Sequence, residues 1–107
     1  MGQMSKFQTS VLELVSKVPK SKVTTYKELA RALGRPRAWR AVANALARNP
    51  HPTKIPCHRV VSSDGKVGDY KLGEERKVEL LLREGVIINK GKVDLKKYLI
   101  KLSKGTG

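Results

Sequence analysis

The sequence predicts a mainly α-helical, winged helix-turn-helix domain with a small β-hairpin wing, and three observations carry that expectation. Two short amphipathic segments, VTTYKELARAL and RAWRAVANALAR, are separated by little more than Gly34, the spacing of two helices joined by a tight turn. A short β-prone stretch with Asp64-Gly65 at its centre follows, as a wing would. Lys and Arg number 23 against 9 Asp and Glu, so the 107 residues carry a formal net charge of +14. Such an excess on so small a domain points to a polyanionic partner, and nucleic acid is the usual one. A solvated, Lys-rich surface of the thermophile kind is the other reading of the same charge.

The length suits a single domain over 1–107, with a core at 5–85 and a C-terminal extension at 86–107. In chain order, Phe7, Val11, Leu14, Val15 and Val18 share one face of a helix that ends before Pro19. Thr25 and Glu28 stand at capping-box spacing, which makes Thr25 the N-cap and Tyr26 the first residue of the second helix. Gly34 stops that helix, and Pro36 is placed to open the third. There, Trp39, Val42, Ala43 and Leu46 should face the core, with Arg37, Ala41, Asn44 and Arg48 opposite and Arg40 at the edge. Arginines interleaved with short side chains would let the backbone approach a duplex closely.

Pro50, Pro52 and Pro56 exclude helix from NPHPTKIPCHR and predict a stiff, extended segment. RVVSSDGKVGDY reads as a β-hairpin turning at Asp64-Gly65. GEERKVELLLREG reads as a helix, acidic at its start and stopped by Gly85. VIINKGKVDLKKYLIKL should form a hairpin around Asn89-Lys90-Gly91 and a last short helix, with SKGTG frayed. No apolar run approaches the roughly 20 residues of a membrane span, and no signal-peptide pattern opens the chain. With one cysteine and no internal disulfide, a reducing cytoplasmic or nucleoid setting is expected, with no membrane partner, for a monomer.

That cysteine, Cys57, has three readings. A lone thiol is commonly a buried small hydrophobe. As a zinc ligand it lacks partners, because one Cys and two His offer no CxxC or HxxxH spacing, and no metal site is expected. As a nucleophile it needs a base or a cation to lower its pKa. His58 and Arg59 follow directly, but on an extended strand neighbouring side chains point to opposite faces, so a bridging water or a turn would be required. Glu84, at the end of ELLLREG, could orient His58.

IPCHRVV, residues 55–61, closely resembles the active-site signature of the O6-alkylguanine-DNA alkyltransferases, suicide proteins that repair alkylated guanine. The resemblance extends through VTTYKELA, RPRAWRAVANALARNP, VSSDGKVGDY and LLREG, covering residues 7 to 85 in family order. It implies that Cys57 accepts the alkyl group, that His58 takes the thiol proton through a water, and that Glu84 polarises His58. It implies further that Asn49 braces the turn leading to the cysteine loop, that Tyr26 crowds the target phosphate, and that Arg40 enters the duplex where the flipped base stood. Arg37 and Asn44 would contact DNA beside it. The base pocket would use Val60, Val67, Gly68 and Tyr70, with backbone groups of Cys57 and Val60 reading the base edge and the Lys71 amide near O6. The implied partner is double-stranded DNA containing O6-alkylguanine, with no cofactor.

Two departures bear on activity. Tyr70-Lys71-Leu72 stands where the family usually has Tyr-Ser-Gly, so Leu72 could narrow the pocket. Alkyltransferase-like proteins, which bind the lesion without repairing it, usually carry Trp at the Cys57 position and end in sequences like KVDLKKYL, as this chain does. The expectation is alkyl transfer to Cys57. The alternatives are a lesion-binding protein that flags O6-alkylguanine for excision-repair proteins, and a winged-helix regulator with a structural cysteine.

Overall fold

In the computed structural model, which describes residues 5–51, 54–68, 70 and 72–102, the chain opens with helix α1 over Lys6–Ser16. The SKGTG tail and Lys71 lie outside the described residues. The Ser5 hydroxyl accepts the Gln8 amide at 3.0 Å, satisfying one of the donors a helix start leaves open. Val11, Leu14 and Val15 are buried on the inner face, Val18 is buried just past the helix, and Phe7 packs on the edge of the core.

Helix α2 (Tyr26–Ala32) begins at the expected cap, with Thr25 Oγ1 accepting the Glu28 amide at 3.0 Å. Glu28 does not return the bond. Its carboxylate instead accepts the Leu102 amide at 2.9 Å and the Arg31 guanidinium, clasping the far end of the described chain to α2. At Gly34 (φ 76°) the helix stops, as the amides of Gly34 and Arg35 fold back onto the carbonyls of Arg31 and Ala30.

Helix α3 (Trp39–Ala47) starts later than Pro36 led us to expect. Residues 36–38 form a turn, closed by the Ala38 amide on the Arg35 carbonyl at 2.8 Å. Neither Arg35 nor Pro36 offers the side-chain acceptor that would cap an earlier start. Val42, Ala45 and Leu46 face the core, where α3 packs against α1 and α2. Trp39, expected inside, is 38 % exposed, and Ala43 is only half-buried. The buried stripe is completed by Ala45 instead.

The segment after α3 is not extended throughout. Cys57–Arg59 make one 3₁₀ turn, with the Cys57 amide on the Ile55 carbonyl (2.7 Å) and the Arg59 amide on the Pro56 carbonyl (2.9 Å). No proline falls within residues 57–59, so their amides are available to curl. Beyond it, β2 (Val60–Val61) pairs in parallel with β1 (Thr24–Thr25), not with the residues that follow it. The turn at Asp64-Gly65 is present, its Lys66 amide held by Asp64 Oδ1 at 3.0 Å and the loop closed from the Ser62 amide to the Lys66 carbonyl at 2.9 Å. Past the turn, Lys66 bridges to Lys92 of a later hairpin. The pairing expected within 59–70 is therefore shared with two other parts of the chain.

Helix α4 (Glu74–Arg83) carries Glu74 and Glu75 in its first turn, and past Gly85 (φ 89°) the Val86 amide folds back to Leu81. The hairpin of β3 (Ile88–Asn89) and β4 (Lys92–Val93) turns through Lys90 and Gly91, both at positive φ, as a two-residue turn of the primed type requires. Helix α5 (Leu95–Tyr98) is capped by Asp94, and the chain then runs beside Val23, whose amide and carbonyl bond Tyr98 and Ile100 at 2.9 Å each. Two apolar clusters result. One joins α1, α2 and α3 with Cys57 and Val60; the other joins Val23, Val61, Val67 and Leu81 with Val86, Val93 and Tyr98. Among the described residues the fold is mainly helical and winged-helix-like, and no helix is long and apolar enough to cross a membrane.

Gly65 is the tightest joint in this packing. Its φ is 90°, and a Cβ placed there would lie 2.5 Å from the Val93 carbonyl oxygen. Gly91 has a positive φ but open space around it. Gly65→Ala should therefore destabilise by more than Gly91→Ala, whose strain alone costs roughly 1–3 kcal/mol. Urea unfolding midpoints of the two variants test this; equal losses would remove the Val93 contact as the cause.

Candidate active site

Cys57 is 6 % exposed and borders a cavity of about 500 Å³. Helix α3 contributes Trp39, Ala43, Asn44, Leu46 and Ala47 to its walls. Tyr26, Ser62, Gly68 and Tyr70 form the remainder. The fold thus brings Tyr26, Asn44, Cys57, Gly68 and Tyr70 together, five residues the sequence had singled out. Val60 and Val67 do not line this cavity. They are at 0 % and 1 % exposure in the two core clusters, because the alternation of β2 and the turn after it directs them inward. Arg40 and Asn44 are exposed on α3 and Arg37 is exposed on the turn before it, and the Arg40 guanidinium lies 5.1 Å from the Trp39 ring centroid.

The loop that presents Cys57 is fixed by Asn49, whose side chain is fully buried. Its Nδ2 donates to the Ile55 carbonyl at 3.2 Å and its Oδ1 accepts the His51 amide at 2.8 Å, so one amide group spans the residues between α3 and the thiol.

Behind the cavity sits a buried charged cluster. His58 Nε2 is 3.0 Å from Glu84 Oε2, and Arg59 grips the same carboxylate with two bonds, Nε to Oε1 at 2.9 Å and a terminal nitrogen to Oε2 at 2.7 Å. Arg59 also donates to the Val18 carbonyl at 2.7 Å, tying α1 to the cluster. Burial pushes the Glu84 carboxyl up, but Arg59 and then His58 outweigh it and hold it below the ordinary 4.5. For His58 burial dominates and depresses its pKa from 6.5, with Glu84 opposing and Arg59 and Lys77 assisting. His58 is therefore neutral at pH 7, and the cation that keeps Glu84 ionised there is Arg59. Facing a carboxylate, Nε2 carries the ring proton. Nδ1 is left as a buried acceptor with no hydrogen-bond partner among the described residues. The 3₁₀ turn matters here, since it breaks the opposite-facing geometry an extended strand would impose on Cys57 and His58.

Three residues of this region hold places that the sequence did not assign to them, Arg59 among them as the partner of Glu84 and not only as a cation beside the thiol. Arg59 lies inside IPCHRVV, and an arginine beside a histidine awaiting a carboxylate was the available signal. Lys77 is fully buried, with its Nζ 6.0 Å from the Tyr26 ring centroid and near Gly68. It shares the buried face of α4 with Leu81, four residues on, so a lysine at an apolar period marked it. Trp39 was misplaced to the core. Tyr70 has its pKa raised by burial and then by the neighbouring Cys57, and its ring meets His58 edge-on at 6.4 Å.

Comparison with known proteins finds a matching family and relatives. Residues 6–86 match the family described as 6-O-methylguanine DNA methyltransferase, DNA binding domain. A methylated-DNA–protein-cysteine methyltransferase of Methanothermobacter thermautotrophicus is 48 % identical over 86 residues, covering 79 % of this chain and 47 % of that protein. The Homo sapiens protein of the same name is 46 % identical over 84 residues, 78 % of this chain and 41 % of its own. The chain thus spans less than half the length of these curated relatives. Among solved structures, S. pombe Atl1 in complex with damaged DNA containing O6-carboxymethylguanine superimposes with a TM-score of 0.83 at 36 % identity, over 94 % of this chain and 99 % of that one. The O6-methylguanine-DNA methyltransferase of Pyrococcus kodakaraensis gives a TM-score of 0.70 at 45 % identity, over 78 % and 48 %. With a family match across most of its length and relatives this similar, the chain belongs to the O6-methylguanine-DNA methyltransferase family.

Proposed function

We propose that this protein repairs DNA by direct reversal: it rotates O6-alkylguanine out of a duplex and transfers the alkyl group, irreversibly, to Cys57. The observation that carries the reading is a thiol at the edge of a cavity, followed in the chain by a neutral histidine anchored on a carboxylate. A stacked guanine cannot present O6 to that thiol, so the nucleotide must be extruded. The exposed Arg37, Arg40 and Arg48, on α3 and at its two ends, supply with the net charge of +14 the electrostatic grip on phosphates, and Arg40 fills the vacated stack.

The chemistry balances without a cofactor. Cys57 gives its proton, through a water, to His58 Nδ1, whose lone pair is the acceptor that Glu84 has left available. Sγ then attacks the alkyl carbon; the C–S bond forms as the C–O6 bond breaks, and the electron pair stays with the guanine. Tyr26 donates its hydroxyl proton so that the base leaves neutral, and the tyrosinate then regains a proton from solvent while protonated His58 releases one to it. Asn49 keeps the cysteine loop rigid, which holds the thiol in line.

A second reading has support in the end-to-end likeness to Atl1, which reaches residues beyond the 6–86 match. In it the lesion is bound, not repaired, and excision-repair proteins are the partners. Intact mass after incubation with a duplex carrying one O6-methylguanine decides between them. One added methyl on the Cys57 peptide, with guanine restored in the DNA, is the expected outcome, and Cys57→Ser should end the gain while leaving binding. An unchanged mass beside tight, lesion-selective binding would overturn transfer in favour of recognition alone.

A further inference from the structure

We propose that Trp39 is the stacking platform of the cavity, a specificity-determining residue whose indole lies against the extruded base. The inference rests on the reading of this cavity as the site of the flipped alkylguanine. Trp39 is the chain's one tryptophan and the first residue of α3, and it is 38 % exposed although it is large and apolar. Leaving such a ring in water forfeits a sizeable burial gain. It is not stranded on the outer surface, however. With Ala43 and Ala47, at i+4 and i+8, it forms one stripe of α3 along the cavity wall.

Past the indole that stripe offers only methyl groups, so the ring is its one large surface on the cavity. The volume of about 500 Å³ falls within the roughly 300–1,000 Å³ of small-molecule sites. Tyr26 and Tyr70 border the same space, so aromatic rings from α3, α2 and the loop before α4 converge on it. Asn44 and Ser62 add polar groups at its edge. Flat, mostly apolar walls with few polar groups suit a planar heteroaromatic guest, and a purine with an O6 substituent is one.

The indole also has a partner to exchange. The Arg40 guanidinium rests 5.1 Å from the ring centroid as a cation–π contact. Inserting Arg40 into the duplex withdraws that cation as the base arrives, and stacking on the base replaces it. Finger insertion and base capture are thereby linked through one ring.

The test uses the full chain carrying Cys57→Ser, so that binding is read without transfer, and two duplexes that differ only in guanine against O6-methylguanine. Indole emission, which with selective excitation comes from Trp39 alone, should be quenched by the lesion duplex and much less by the plain one. Trp39→Ala should lose roughly 5- to 150-fold of its preference for the lesion, the worth of one base–aromatic stack, with plain-duplex affinity retained. Trp39→Phe should keep most of the preference. Equal quenching by both duplexes, or full preference in Trp39→Ala, overturns the role; so does an equal loss on both duplexes, which would assign the ring to backbone contact. Failure of the function reading looks different. An unchanged mass in the unsubstituted protein, with lesion-specific quenching intact, removes transfer and leaves Trp39 as the platform. Absence of any lesion preference in the Cys57→Ser parent removes both.

Discussion

Glu84→Ala is expected to slow alkyl transfer by roughly 10²–10⁴-fold, the usual worth of a positioned general base, and to destabilise the fold by roughly 3–5 kcal/mol. Both effects follow from one carboxylate serving two partners. Its side chain is 12 % exposed, against 7 % for His58 and 11 % for Arg59, so neither partner can turn to water when it is removed. The Arg59 guanidinium, left with the Val18 carbonyl as its remaining named acceptor, becomes an uncompensated buried cation. His58 loses the acceptor that fixes its tautomer, and Nδ1 is no longer held as the base. Glu84→Gln separates the two losses, because its amide oxygen can still accept from Nε2 while the charge is gone. That variant should keep more transfer than Glu84→Ala and still lose much of the stability. Single-turnover rates and urea midpoints for both variants are the measurements. Transfer at the unsubstituted rate in Glu84→Ala would remove the His58–Glu84 pair from the chemistry.

How much of this was readable in advance depends on how local each signal is. Thr25, Gly34 and Gly85 act within a turn of themselves, and each cap or stop stands where the sequence placed it. Trp39 was misread because α3 has two possible apolar stripes that share Val42 and Leu46. Hydrophobicity favours completing the stripe with Trp39, and packing against α1 and α2 completes it with Ala45. The pattern along one helix cannot report that a cavity waits beside it. The parallel pairing of β1 with β2 is lost to sequence for a related reason: it joins distant residues, and hairpin rules describe neighbours. The 3₁₀ turn at Cys57 escaped because the flanking prolines forbid an α-helix without forbidding a single tighter turn.

The site divides along the same line. That Cys57 is the candidate reactive thiol was legible from the motif around it. That His58 meets Glu84, 26 residues away, was open to chemistry as a suggestion and to the family resemblance as an implication. Arg59 completes the cluster through long-range contacts on both sides, to Val18 and to Glu84, and the histidine beside it was the one local hint of them. The same arginine explains an otherwise awkward combination, a buried carboxylate next to a neutral histidine. Without a permanent cation, burial would favour protonated Glu84, and a protonated acid cannot accept from Nε2 in the same way.

Transfer should also fall by about tenfold per pH unit once the pH drops below the His58 pKa. Neutral His58 is the competent form, and burial has moved its pKa down from 6.5, so the rate should be level from neutral pH to below that value before it declines. Stability moves in the same direction. A depressed folded-state pKa means that the unfolded chain takes up the proton first, so the contribution of His58 is complete above 6.5 and lost as pH falls through its folded value. Glu84, lowered from 4.5, adds a contribution complete above 4.5 and lost below it in the same manner. The rate should therefore stay level while the His58 share of the stability is already falling below 6.5, and circular dichroism at each pH separates protonation of folded His58 from loss of the fold. Glu84→Gln supplies the discriminating arm. It removes the group that holds the His58 pKa up against burial, so the inflection in rate should move to lower pH even as the maximal rate drops. An inflection that stays in place in Glu84→Gln, or a rate that holds level until the fold itself is lost, would assign the thiol proton to some acceptor other than His58.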